Sequence, residues 1–289
     1  MNSADAISYV VGLIGAEIGP SLSPALHERE ADELGLRYVY RRIDIGELGV
    51  PAEDVGELVR AAHTLGFSGL NVTHPCKQLV VEHLDELSPD AETLGAVNTV
   101  VFDDGKAIGH NTDWPGFQEN FERGLPDVST DRVVLVGAGG AGTAVAHAAI
   151  SLGVERLAVV DAAAERAEAL AGSLPGAVAV PLDDLAGELD GADGVINATP
   201  FGMEAHDGAA FSPDLLRESL WVADVVYRPL ETELLRQARQ LGCRTLDGGG
   251  MAVFQAALSF ALFTGREPDR ERMLRHFAAL VGEAEVARA

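Results

Sequence analysis

The sequence predicts an α/β protein of two domains, and three observations carry that prediction. Short β-branched runs alternate with helical patterns along almost the whole chain, as in parallel sheets built from strand and helix units. Composition turns to Pro, Asp, Ser and Thr at "LPDVSTD", residues 125 to 131, which marks a boundary. A glycine-rich strand-to-helix turn follows at once. The expected division is a first domain over 1–124 and a second over 125–254. The remaining segment, 255–289, carries only helical patterns, and with no strand left to pair it is expected to pack back on the first domain.

In the first domain "ISYVVGLIG" is nearly unbroken in its apolar run and reads as a buried strand. "SPALHEREADELG" reads as a helix with Ser23 at its cap and Pro24 in its first turn. "YVYRRIDI" alternates like a strand, "PAEDVGELVRAAHTLG" repeats like a helix, and "FSGLNVT" returns to strand. The second domain opens with "RVVLVGAGGAGTAVAHAAISLG" and "VERLAVVDAAAERAEALAGSL", two strand–helix units in succession. Further strands are expected at 177–180, 194–198, 221–226 and 244–246.

A chain of 289 residues, 47% hydrophobic, can bury two cores without disulfides or metals. Cys76 and Cys243 match neither a disulfide framework nor a metal cluster, so no metal is expected. A net charge of 24 negative units repels phosphate backbones and anionic membrane surfaces, which argues against nucleic-acid or membrane partners. No signal-peptide pattern and no apolar run of roughly 18 to 20 residues is seen, so a cytoplasmic location is expected, as a monomer or homodimer.

"VVLVGAGGAG" places Gly137, Gly139 and Gly142 in G-x-G-x-x-G spacing. One glycine makes the tight turn, the second lets a pyrophosphate approach the backbone, and the third packs helix against strand. The helix N-terminus offers its unpaired N–H groups to the phosphates. With strand before and helix after, the motif predicts a Rossmann-type, doubly wound dinucleotide-binding domain. Asp161 ends the next strand, where an acidic side chain hydrogen-bonds the adenosine ribose hydroxyls. The same carboxylate opposes a 2′-phosphate. Two unit charges ~4 Å apart at an effective dielectric of ~20 interact by about 4 kcal/mol, and half of that after screening is still more than tenfold. NAD is therefore expected, with NADP disfavoured by Asp161. Arg166 either softens that preference by reaching the phosphate or stacks on the adenine. "VINATPFGM" follows a later strand, which puts Thr199 at the carboxyl edge of the sheet, beside the nicotinamide half.

The first domain carries a second set of polar residues. In "GPSLSP", Ser21 and Ser23 enter a helix together; they either bind a small anion such as a carboxylate or cap the helix. "NVTHPCKQ" holds Lys77, one of two lysines in the chain with Lys106, in a sequence that otherwise uses arginine for its cations. Lys77 is expected in a first helical turn, where the macrodipole disfavours a cation. A cation set against the local field suggests a residue needed for its proton, because ammonium can lose one and guanidinium cannot. "GAVNTVV" adds Asn98, and "GHNTDWPGF" adds Asn111, Thr112 and Asp113, the last an N-cap by local pattern. Cys76 has no histidine at partner spacing and is not read as a nucleophile.

In order, "GLIGAEIGPSLSPALHE", "GLNVTHPCKQ", "GAVNTV", "GHNTDWPGF", "VGAGGAG", "NATPFGM", "DVVYRPLETELLRQARQLG" and "DGGGMAVFQAA" resemble the shikimate dehydrogenase family over about residues 10–265. Asp161 with Arg166 is similar to the NAD-using quinate/shikimate branch and departs from the Asn-Arg-Thr stretch of NADP-using members. The resemblance implies reversible reduction of 3-dehydroshikimate to shikimate, a step toward aromatic amino acids, in a cleft between substrate and dinucleotide domains. It implies Lys77 and Asp113 as the catalytic pair. Ser21 and Ser23 would hold the substrate carboxylate with help from Tyr227, and Asn71, Thr73, Asn98 and Gln255 would position the ring hydroxyls. Gly137, Ala138, Gly139, Gly140, Ala141, Gly142, Asp161, Arg166, Thr199, Pro200, Met203, Val226, Gly248 and Met251 would surround the cofactor. The chemistry agrees: hydride delivery to a ketone develops an alkoxide, so one acid/base group must stand within hydrogen-bond reach of the reacting oxygen. Two rival expectations are an enzyme acting mainly on quinate in catabolism and a non-catalytic NAD-binding sensor on the same fold. The presence of both Lys77 and Asp113 speaks against the sensor.

Overall fold

The computed structural model describes residues 8–203, 206 and 208–286. These divide into two compact units, one made of the residues up to Thr112 together with those from Gln255 onward, the other of Asp113–Phe254.

The first unit runs β1 (Ser8–Gly15), α1 (Ser23–Glu33), β2 (Arg37–Asp44), α2 (Ile45–Leu48), α3 (Val55–Thr64), β3 (Gly69–Val72), α4 (Cys76–Leu79), β4 (Glu86–Leu87), α5 (Pro89–Leu94), β5 (Thr99–Asp103) and β6 (Lys106–His110). Its sheet has the order β2-β1-β3-β5-β6-β4. β1 lies parallel to β2 and β3, which places the carboxyl ends of β1 and β3 side by side. Val11 and Leu13 of β1 enter one apolar cluster with Tyr40 and Phe263, while Ile14 enters another with Leu70, Val72, Val55 and Val59. Cover on both faces is why the β1 sequence shows no alternation. The sheet is mixed rather than parallel throughout, because β5 pairs antiparallel with β3 and β6. Asp104 and Gly105 turn this hairpin with φ of 46° and 77°, the left-handed pair that an Asp-Gly two-residue loop supplies. "FDDGKA" carried that signal, and the parallel reading passed over it.

The second unit runs α6 (Asp113–Gly124), β7 (Arg132–Val136), α7 (Gly140–Ser151), β8 (Arg156–Val160), α8 (Ala164–Gly172), β9 (Ala177–Ala179), α9 (Leu185–Asp190), β10 (Gly194–Asn197), β11 (Trp221–Asp224), α10 (Glu233–Gln240) and β12 (Arg244–Leu246). Its strands are parallel in the order β12-β11-β10-β7-β8-β9. Strand order reverses between β7 and β10, the place in doubly wound sheets where a ligand crevice opens beyond the carboxyl ends. Val133 and Leu135 join the cluster under Val145, Ala148 and Ala149 of α7. Val134 and Val136 join the opposite one with Leu189, Leu234 and Leu235.

The division between units falls one helix earlier than the boundary expected at 125. Phe117 and Phe121 of α6 share a cluster with Val133 and Leu135, so apolar burial assigns α6 to the second unit. The Pro- and Asp-rich stretch at 125–131 is the connection from α6 to β7 inside that unit.

α11 (Gly249–Thr264) carries the chain back into the first unit, and α12 (Arg270–Val286) follows. Glu30 of α1 is fully buried and accepts from Arg272 Nε at 2.9 Å, Arg272 Nη2 at 2.6 Å and the Asp269 N–H at 2.8 Å. Removing one partner of such a buried pair costs about 3–5 kcal/mol, so this fork ties α12 to α1. No described helix is long and apolar enough to cross a membrane.

Candidate active site

In the first unit the site residues gather where β1 and β3 end. Thr73 donates its N–H to Ile14 O at 2.9 Å, and Ala16 donates to His74 O at 2.9 Å. A Cβ on Gly15 would stand 2.3 Å from Thr73 Cγ2, so glycine there lets the two strand ends close on each other. Asn71 and Asn98 are buried and joined by Thr99, and Thr112 bonds Asn98 from the other side of the network. Asn71 Nδ2 donates to Thr99 Oγ1 at 3.1 Å and to Asn98 O at 3.3 Å. Asn98 Oδ1 accepts from the Thr112 N–H at 2.8 Å and Thr99 Oγ1 at 3.0 Å, while its Nδ2 donates to Thr112 Oγ1 at 2.9 Å. Asn111 Nδ2 donates to Ala96 O at 3.0 Å. Asp113, the next residue after Thr112, is buried at the start of α6. Thr99 was not read as a site residue. Its neighbour in sequence, Asn98, was, and the pairing of the two side chains has no mark in spacing.

Lys77 is half-buried on α4, and its carbonyl accepts the Val97 N–H at 2.9 Å, which ties this turn to the entry of β5. α4 is a single four-residue turn. Too few peptide dipoles align there to sum to a macrodipole, so no helix field opposes the Lys77 ammonium, contrary to expectation. The contrast between ammonium and guanidinium stands without it. Cys76 is fully buried, and burial, with a contribution from Glu53, raises its thiol above the ordinary value; a thiolate nucleophile has no support.

The serine pair takes a different form from the expected cap. Leu22 is the N-cap of α1, and Ser23 is the first helical residue. Ser21 Oγ accepts the Ser23 N–H at 3.3 Å, and Ser21 O accepts Arg42 Nη2 at 2.8 Å. A hydroxyl that accepts at oxygen keeps its hydrogen to donate, so the Ser21 hydroxyl remains a donor for an anion; in the first turn of α1 the Ser23 N–H is already taken by Ser21 Oγ and Pro24 has none. Asp44 steadies this loop by accepting from the Ile18 N–H at 2.9 Å and the Gly46 N–H at 3.0 Å. Burial pushes the Asp44 carboxyl up, but the N–H groups of Ile18, Gly46, Glu47 and Glu17 outweigh it and hold the group below the usual carboxylate value.

The second unit assembles its site from main chain. Gly137 has φ of 106° and donates its N–H to Val160 O at 2.8 Å; a Cβ on it would meet Ala198 C at 2.8 Å. A Cβ on Gly142 would stand 2.0 Å from Gly137 O, whereas one on Gly139 meets nothing within 4 Å. The outer two glycines therefore close the turn, and the middle one leaves its face open to a ligand. Ala138 donates its N–H to Asp161 Oδ2 at 2.7 Å, and Ala163 donates to Oδ1 at 2.8 Å. The carboxylate is thus locked at the loop, with a lone pair on each oxygen left for hydroxyl donors. The first-turn N–H groups of α7, at Gly140 and Ala141, have no partner within the helix, which leaves them as donors for an anion. Arg166 is exposed on the first turn of α8. The pyrophosphate and ribose of a dinucleotide fit this cradle.

A buried clasp that the sequence did not disclose sets the loops after β10 and β11. Asn197 Oδ1 accepts from Thr199 Oγ1 at 2.7 Å and from its N–H at 3.1 Å, and Asn197 Nδ2 donates to Asp224 Oδ1 at 3.0 Å. Asp224 also accepts from the Val226 N–H at 3.0 Å and from Thr232 Oγ1 at 2.8 Å. Burial raises the Asp224 carboxyl to about 6, against the hydrogen bonds from Val226, Thr232 and Asn197 that pull it down. Gly248 donates its N–H to Val226 O at 3.2 Å, and a Cβ there would lie 2.2 Å from Val225 O. Thr199, Val226 and Gly248 are therefore brought together. Pro200 and Met203 are exposed on the loop after β10, and Tyr227 is half-buried after β11. Met251 is packed in the cluster that holds Phe117 and Leu246, and Gln255 is half-buried on α11 in the first unit.

Known proteins are similar over nearly the whole chain. The family profile described as shikimate dehydrogenase substrate binding domain matches residues 13–100, shikimate / quinate 5-dehydrogenase matches 119–202, and shikimate 5′-dehydrogenase C-terminal domain matches 248–276. A Streptomyces avermitilis protein named shikimate dehydrogenase (NADP(+)) is 64% identical over 285 residues, covering 96% of this chain and 98% of that one. A Corynebacterium efficiens protein named quinate/shikimate dehydrogenase (NAD(+)) is 51% identical over 280 residues, covering 94% and 99%. The solved structure of quinate dehydrogenase from Corynebacterium glutamicum in complex with NAD superimposes with a TM-score of 0.89 at 50% identity, covering 94% of this chain and 99% of that one.

Proposed function

The chain belongs to the shikimate dehydrogenase family, and from that premise we propose that it interconverts shikimate and 3-dehydroshikimate with a nicotinamide dinucleotide, NAD in preference to NADP. The observation that carries the substrate half is the network of Asn71, Thr99, Asn98 and Thr112 beside Lys77, a dense set of donors and acceptors suited to a polyhydroxy ring. The hydroxyls of Ser21 and Ser23 bind the carboxylate, with Tyr227, while Thr73 and Gln255 complete the hydroxyl contacts. Lys77 gives a proton to the reacting oxygen in reduction and takes it back in oxidation, and Asp113 holds the ammonium in place. The glycine turn and the start of α7 hold the pyrophosphate, Asp161 holds the ribose, and Thr199, Pro200, Met203, Val226, Gly248 and Met251 form the nicotinamide end. When bound, the nicotinamide supplies or accepts the hydride. Two buried, unpaired cysteines suit a reducing cytoplasm, and the acidic surface suits a small-molecule enzyme acting as a monomer or homodimer.

The preference for NAD draws on the fixed carboxylate of Asp161, whose two oxygens already hold the turn and keep a lone pair each for ribose hydroxyls. The name of the Streptomyces relative assigns NADP to that protein, so cofactor choice is the part of the proposal most open to measurement. A second reading, quinate as the main substrate, draws on the name of the Corynebacterium relative. Steady-state kinetics with shikimate and quinate, each against NAD and NADP, tests all of it. The expected order puts shikimate with NAD first, with NADP lower by about tenfold or more, and Asp161→Ala narrowing that gap by about tenfold. Equal or better use of NADP by the wild type overturns the cofactor assignment. A higher kcat/KM for quinate transfers the enzyme to quinate catabolism.

A further inference from the structure

Tyr40 lies outside every motif that pointed to the site, yet it is bonded directly to one of its residues. We propose that Tyr40 is a positioning residue for substrate recognition: its hydroxyl, acting with the Asn98 carbonyl, fixes the Asn71 amide so that Asn71 offers the ligand an acceptor and no donor. The proposal rests on reading Asn71 as a substrate-binding residue.

Tyr40 stands on the edge strand β2 and is 6% exposed, in the apolar cluster with Val11, Leu13 and Phe263. Its ring meets the His27 ring edge-on, with centroids 4.9 Å apart and planes at 63°. His27 is itself fully buried, bonded through Nδ1 to Tyr38 OH at 3.0 Å, and burial lowers its pKa to about 3, so it adds bulk without charge. A phenol in such surroundings needs a partner for its O–H. It donates to Asn71 Oδ1 at 2.6 Å.

The consequence follows from counting donors and lone pairs. Asn71 Nδ2 has two hydrogens, and both are committed, to Thr99 Oγ1 at 3.1 Å and Asn98 O at 3.3 Å. Asn71 Oδ1 has two lone pairs, one of which Tyr40 occupies. What remains for a ligand is the second lone pair of Oδ1. The ring carbon read by Asn71 must then carry a hydroxyl in both the oxidised and the reduced substrate, because a carbonyl there would set two acceptors against each other. The Asn98 carbonyl, which can only accept, sets which end of the amide carries hydrogen; the Tyr40 hydroxyl adds the bond at Oδ1 that holds the plane of the amide, and without it that oxygen loses its fixed partner.

A double-mutant cycle on the intact enzyme tests this. Tyr40→Phe keeps the ring and its packing and is expected to raise KM for shikimate about 3- to 10-fold, with a smaller change in kcat and none in KM for NAD. Asn71→Ala is expected to raise KM for shikimate as well, and Tyr40→Phe added to Asn71→Ala is expected to change it no further. Shikimate-induced thermal stabilisation, measured on the same four proteins, reads binding independently of turnover and should follow the same pattern. If Asn71→Ala raises KM while Tyr40→Phe leaves it unchanged, or if the two effects multiply independently, the role of Tyr40 is overturned and the proposed site survives. If Asn71→Ala leaves KM unchanged, the site assignment of Asn71 fails and the role of Tyr40 with it.

Discussion

The candidate site of the second unit is built from main-chain groups, held by glycines whose missing side chains make room for one another, while that of the first unit is built from side-chain amides and hydroxyls of Asn71, Asn98, Thr99 and Thr112. A Cβ on Gly142 would lie 2.0 Å from Gly137 O, so one contiguous loop nearly specifies its own shape. The network around Asn98 instead draws on β3, β5 and the residues after β6, and no one of these segments implies the others. A site of backbone geometry can be written locally. A site of side-chain geometry exists only once the sheet has aligned its strands.

The contrast can be broken most forcefully at Lys77. Lys77→Arg keeps the positive charge but removes a transferable proton, and turnover is expected to fall about 10²- to 10⁴-fold with NAD affinity unchanged by equilibrium binding. Turnover near wild type would remove Lys77 from the chemistry. Gly142→Ala probes the other unit. A methyl group aimed at a carbonyl oxygen must displace backbone, at about 1–3 kcal/mol of stability, with NAD binding lost and shikimate binding retained in thermal-shift measurements. Intact NAD affinity in that variant would mean that the turn is not the pyrophosphate cradle.

The smallest effect sharpens the comparison, since Asp224 is a side-chain clasp inside the unit otherwise built from backbone. Its carboxyl, raised to about 6 by burial, binds a proton in the native state between about pH 4 and pH 6 that the unfolded chain has released. Native stability from this group is therefore complete below about pH 4 and declines as pH rises through about 6, by about 2–3 kcal/mol. Urea denaturation of Asp224→Asn against wild type across that window should show the difference between them shifting by this amount. A constant difference would place the native pKa of Asp224 near its ordinary value.

Much of the second unit was legible from residues. Strands expected at 177–180, 194–198, 221–226 and 244–246 appear at Ala177–Ala179, Gly194–Asn197, Trp221–Asp224 and Arg244–Leu246, because β-branched runs between helical patterns leave few alternatives. The first unit was read less fully. The β5–β6 hairpin was passed over although Asp104-Gly105 marked it, and Ser23 took the place after the cap because Leu22 and Pro24 set the helix entry. α6 was assigned to the wrong side of the division, since Phe117 and Phe121 reveal their partners only once Val133 and Leu135 are in place. Tyr40, Thr99, Asn197, Asp224 and Thr232 read as ordinary strand or cap residues, and each acquires its role from a partner remote in the fold.

The sequence by itself determined the α/β class, the glycine turn with its acidic partner Asp161, and the placing of Lys77 and Asp113 among motifs of one enzyme family. Those features depend on contacts within a few residues, or on spacing that any copy of the motif repeats. Only the tertiary structure decided which side chains close the hydrogen bonds of Asn71, Asn98 and Asp224, and which unit α6 joins. Hydrogen-bond satisfaction and apolar burial are properties of the assembled core, where partners far apart in sequence are brought within about 3 Å of each other.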